Sequence, residues 1–167
     1  MITSDQITWR SVGTRLEDRL EVCLQSWVGT PYIELERIKA MGVDCIQLVA
    51  AFLDEMHRAP AGTTSLPRMS AAAARHRPDL ASKVIKLLRR AHSGSTIVRD
   101  GIVEPGDVLV VRSILTTDGP EHEGHTMIAG ARPYTVYHAV RPRVCQSSCE
   151  GWEIMRVYRP KEKQSWT

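Results

Sequence analysis

A chain of 167 residues has the length of one domain and buries roughly 70% of its unfolded surface on folding. Its 43% hydrophobic and 25% charged residues are the composition of an ordinary globule. The net charge of +3, from 22 basic against 19 acidic residues, suits an acidic polymer but is too balanced for a nucleic-acid binder. No apolar segment approaches a membrane span, and the first ten residues lack the charged start and apolar stretch of a secretory signal.

In chain order, Thr14 and Glu17 have the spacing of a capping box ahead of Leu16, Leu20, Cys23, Leu24 and Trp27, which repeat at helical spacing. This predicts a helix over about residues 15–27, stopping before Gly29 and Pro31, with Cys23 a small buried hydrophobe on its apolar side. A loop from Tyr32 to Gly42 leads to a second box, Asp44 and Gln47, and a helix over about 45–57. Residues 60–69, with Pro60, Gly62 and Pro67, read as loop. Ser70 is a candidate cap for a short alanine-rich helix ending by Pro78. Asp79 opens another, with Leu80, Val84, Leu87, Leu88 and Ala91 on one face and Gly94 at its close. After Gly94 the pattern changes to short β-branched runs at 96–99, 108–114, 125–131, 135–140 and 153–158. Helices followed by an antiparallel sheet indicate one α+β domain over residues 1–167, with its core at about 14–160 and a frayed polar tail from 160.

Cys45 falls in the first turn of the second helix. There, unpaired N–H groups and the helix dipole favour a thiolate, predicting an ionisation below the usual value of about 8.5. A thiolate needs a base, and His125 and His138 each sit on a β-like run. A helix-start cysteine followed by two strand-borne histidines is the arrangement of a papain-like cysteine hydrolase. Metal chemistry fits poorly. His122-Glu123-Gly124-His125 lacks the His-Glu-x-x-His spacing and follows helix-breaking Gly119-Pro120. Cys145 and Cys149 have no second pair at zinc-site spacing, which leaves a local disulfide or two unpaired thiols in a surface turn. His57, His76 and His92 lie near helix ends and read as solvent-facing residues interacting with the C-terminal dipole.

Five motifs occur in order: Trp27-Val28-Gly29-Thr30-Pro31-Tyr32, Gly42-Val43-Asp44-Cys45, Glu104-Pro105-Gly106-Asp107, Gly124-His125 and Tyr137-His138-Ala139. Over about residues 16–160 this series resembles the NlpC-type peptidoglycan cysteine peptidases. The opening motif and the ending Trp152…Tyr158-Arg159-Pro160 look most like versions carried by phage tails. The resemblance implies a papain-like fold, N-terminal helices on a C-terminal antiparallel sheet. It also implies Cys45 as nucleophile, His125 as its base and His138 as the residue orienting His125. Tyr32 matches a tyrosine near the nucleophile, unless it only packs in its loop. Asp44 reads as a cap more than a catalyst, and the Cys45 N–H as an oxyanion donor. The implied substrate is a peptidoglycan stem peptide, cut at γ-D-glutamyl–diaminoacid bonds without a cofactor, with phage-tail or secretion-apparatus partners. Such a protein would be cytoplasmic or carried to the cell wall by a particle. Ile46-Gln47 replaces the family's small pair after the cysteine, so Gln47 can reshape the site. Thr126-Met127 replaces its small apolar pair after the histidine. Two other classes stay open: a tail-assembly component that uses the fold for binding, and an acyltransferase or amide hydrolase acting on a small molecule.

Overall fold

The computed structural model describes residues 2–58, 62–64, 96–97, 101–113, 125–160 and 166. The helices expected from Ser70 and Asp79 lie outside these residues, as do His76, His92, His122 and Glu123. The elements run β1 (Ile2–Thr3), β2 (Thr8–Trp9), α1 (Thr14–Gln25), β3 (Arg37–Ile38), β4 (Gly42–Val43), α2 (Cys45–Met56), β5 (Thr96–Ile97), β6 (Ile102–Val103), β7 (Val108–Ser113), β8 (His125–Ala129), β9 (Thr135–Ala139), β10 (Val144–Ser148) and β11 (Trp152–Arg159).

Helix α1 forms as its periodicity predicts, with Leu16, Leu20, Cys23 and Leu24 buried on one face. Its start differs from expectation. Thr14 is already helical, and the cap is Gly13 at φ 103°, a backbone conformation that glycine reaches without a Cβ clash. Glu17 reaches past Thr14 to accept from the Val12 N–H at 3.0 Å and from the Ser11 hydroxyl. Cys23 is buried as expected. Its thiol donates to Glu55 at 3.3 Å, and burial together with that carboxylate pushes it up to about 12.

Ten of the twelve residues of α2 are buried, so this helix is the centre of the domain rather than an amphipathic cover. It packs on a seven-stranded antiparallel sheet of order β1-β11-β7-β8-β9-β10, with β5 also paired to β11. Val108, Ile128, Tyr137, Ala139, Val144 and Tyr158 face the helices. Leu109, Val111, Met127, Ala129, Val136 and Val157 face the other way, under Ile7, Trp9 and Val103. The fold is α+β, as the change of pattern after Gly94 predicts. No helix among the described residues is long and apolar enough to cross a membrane.

Two expectations are corrected here. The Cys145 region is strand β10, not a turn, and a polar strand is invisible to a search for β-branched runs. Both thiols are free, and Cys149 is fully buried in the second apolar cluster. The tail is not wholly frayed. Trp166 is completely buried, lies edge-on to Phe52 with centroids 5.6 Å apart, and donates its indole N–H to His57 at 3.2 Å. His57 is therefore a half-buried acceptor at the end of α2, not a solvent-facing residue. Trp166→Ala should cost about 3 kcal/mol in urea denaturation. A loss under about 0.5 kcal/mol would mean that the indole does not contribute to the core.

Candidate active site

The site forms where α2 begins. Asp44 is the cap, accepting from the Gln47 N–H at 2.7 Å and, from its other oxygen, the Leu35 N–H at 2.7 Å. One carboxylate thus starts the helix and ties down the preceding loop. The capping box is only half made. Gln47 is 1% exposed, and its amide oxygen accepts from Arg37 Nε at 2.8 Å instead of turning back to Asp44. Arg37 continues to the Thr64 carbonyl at 2.7 Å. Gln47 therefore holds the β3 segment to α2 from inside the protein and does not wall a cleft.

Cys45 sits at the junction of helix and sheet. Strands β8 and β9 pair only at Ile128–Tyr137 and Ala129–Val136, so the ladder stops two residues short of Thr126. The Gly130 N–H points to β9, where it donates to the Thr135 carbonyl at 2.8 Å, and by alternation the Thr126 N–H points the same way. It meets Cys45 instead. The Thr126 N–H and hydroxyl both reach the thiol, and the hydroxyl lies 2.7 Å from the Cys45 carbonyl, to which it donates. The Ile46 N–H also reaches the thiol, while the Ile46 side chain is buried in the core.

The two histidines come together. His125 Nε2 lies 2.8 Å from His138 Nδ1, and the other nitrogen of His138, Nε2, lies 2.9 Å from the Ser147 hydroxyl. Trp152 stacks on His125 at 5.4 Å and stands perpendicular to His138 at 6.1 Å. Thr126, Ser147 and Trp152 were not picked out from the sequence as site residues. A serine one strand away from a histidine carries no local signal, whereas the hydroxyl at position 126, in place of an apolar residue, was the one available hint. Tyr32 is half-buried, bridged to Val43, with Arg141 5.3 Å over its ring. Burial, then the neighbouring Cys45 and Asp44, raise its hydroxyl well above the ordinary value.

The electrostatics overturn one expectation. Burial, followed by the Asp44 charge, pushes the Cys45 thiol up to about 11, against the N–H groups of Thr126 and Ile46 that favour the thiolate. Desolvation outweighs the helix start, and the resting group is a thiol. His138 is likewise held neutral, lowered to about 4 by burial.

By sequence, no protein-family model and no curated protein matches this chain. Its fold is similar to the crystal structure of the NlpC/p60 domain of the peptidoglycan hydrolase SagA, with a TM-score of 0.51 over 86% of this chain and 97% of that one. This is a papain-like fold of the NlpC/p60 kind. At 14% identity the likeness is one of fold.

Two predictions follow from the charges. Iodoacetamide rates against pH should place Cys45 well above 8.5, and Asp44→Asn, which keeps a cap but removes the charge, should move it down. A wild-type midpoint below 8.5 would contradict a burial-dominated thiol. His138 binds a proton near 6.5 when unfolded but only near 4 when folded. The unfolded state therefore holds more protons in that window, and stability should fall as pH drops from 6.5 to 4, by up to about 3 kcal/mol. His138→Gln should flatten the slope in denaturation series taken across those pH values.

Proposed function

We propose that this protein is a cysteine peptidase acting on peptidoglycan stem peptides, with Cys45, His125 and His138 as its triad. One observation carries the reading: a helix-start cysteine is fastened to the residue that follows a histidine, and that histidine is hydrogen-bonded to a second one. The fold likeness to a peptidoglycan hydrolase domain supports the substrate class, and the motif resemblance supports γ-D-glutamyl–diaminoacid bonds as the ones cut.

The chemistry follows from a protonated Cys45 thiol and an uncharged His138. His125 Nε2 is engaged by His138, so Nδ1 is the nitrogen that takes the thiol proton. Because the thiolate is costly beside the apolar core and Asp44, transfer accompanies attack: sulfur bonds to the peptide carbonyl carbon as the proton moves to Nδ1. The oxyanion is met by the Cys45 N–H at the helix start and by the Tyr32 hydroxyl. His125 then returns its proton to the departing amine, leaving a thioester. Water, deprotonated by His125, hydrolyses the thioester and restores the thiol. His138 holds the His125 ring throughout, and Trp152 covers the pair from water.

Purified muropeptides incubated with the protein should yield fragments with new amine and carboxylate ends, read by mass spectrometry. Cys45→Ala should abolish them. His138→Gln should keep measurable kcat/KM while His138→Ala loses far more, though less than the roughly 10⁴-fold cost of the orienting residue in a serine triad. Intact muropeptides after incubation with folded wild type would overturn the substrate. Equal rates for wild type and His138→Ala would remove His138 from the machinery.

A further inference from the structure

The hydrogen-bonded chain does not end at His138. Ser147, on β10, lies 2.9 Å from His138 Nε2, and its hydroxyl has a second, longer contact of 3.5 Å with the Ser148 carbonyl. That carbonyl only accepts, so a hydroxyl hydrogen turned towards it leaves an oxygen lone pair facing the ring. The register explains the meeting: Cys145 pairs with His138 across the strands, and Ser147 lies on the same face two residues on.

We propose that Ser147 is a positioning residue that fixes the tautomer of His138, and through it that of His125; its catalytic meaning rests on the peptidase reading above. Burial allows His138 a single proton at neutral pH. With Ser147 accepting, that proton sits on Nε2, and Nδ1 is left as an acceptor for the His125 Nε2–H. His125 then carries its proton on the far nitrogen from the nucleophile, and Nδ1 can receive the thiol proton. Without the hydroxyl oxygen, the His138 Nε2–H loses the acceptor that β10 gives it, which is costly. The ring escapes by moving its proton to Nδ1 and donating to His125. That forces the His125 proton onto Nδ1, where it blocks transfer from Cys45. The choice between a competent and an incompetent base is thus made two residues away from the thiol.

The test separates this role from mere packing. In ¹⁵N imidazole spectra at pH 7, wild-type His138 should be the Nε2–H tautomer, and Ser147→Ala should shift it towards Nδ1–H. On muropeptides Ser147→Ala should lower kcat about tenfold with little change in KM, and Ser147→Thr, which keeps the hydroxyl, should recover most of the rate. A wild-type His138 protonated on Nδ1, or a tautomer unmoved in Ser147→Ala, overturns the proposal. If the tautomer shifts but wild type leaves muropeptides intact, the Ser147 role stands and the peptidase reading falls.

Discussion

Everything at the candidate site depends on the clamp between Thr126 and Cys45. Burial of α2 along most of its length supplies the energy that keeps the helix on the sheet, at about 1.5–3 kcal/mol for each large apolar side chain. Burial is non-directional, however, and would tolerate a slide of the helix along the strands. The Thr126 hydroxyl on the Cys45 carbonyl, at 2.7 Å, contributes only about 1 kcal/mol. It contributes that in one register alone. The gap between β8 and β9 makes room for it, since a continued ladder would have used the Thr126 N–H that now reaches the thiol.

The same closeness decides the charge state of the site. A helix start and the N–H groups of Thr126 and Ile46 favour a thiolate, but the group is packed against the apolar core and faces the Asp44 carboxylate. Asp44 cannot be given up without loss, because its two oxygens hold both the helix and the Leu35 loop. The structure therefore keeps a cap that works against ionisation of the residue next to it. The imidazole of His138, hydrogen-bonded to His125, is also kept uncharged, so both the thiol and the second histidine rest in their neutral forms. Proton positions, not ion pairs, are what such a site controls.

Some of the motifs that make the chain recognisable act far from the thiol. Glu104-Pro105-Gly106-Asp107 forms a turn closed by the Asp107 carboxylate accepting from the Glu104 N–H at 2.8 Å. Arg159, from the Tyr-Arg-Pro ending, grips both oxygens of Asp107, at 3.1 and 2.8 Å, and donates to the Ile102 carbonyl at 3.0 Å. Two motifs over fifty residues apart in the chain are thus halves of one fastening. It holds the turn into β7 against β11, the pair on which β8 is then laid.

Local chemistry was legible in the sequence. The α1 and α2 periodicities, the Asp44 cap, the helix-start cysteine and the strands bearing His125 and His138 all follow from side-chain patterns within a few residues of each other. What depended on partners distant in the chain was not. Gln47 has the spacing of a capping-box residue, but Arg37 offered its buried amide a charged donor, which a backbone N–H does not match. Trp166 closes an otherwise polar tail, and its place in the core beside Phe52 and His57 is what buries its indole. Strand β10 is too polar to announce itself, and it becomes a strand because β9 lends it a ladder. The thiol's ionisation was misjudged for the same reason. A helix dipole is a property of the local sequence, whereas desolvation is set by everything that packs around the group.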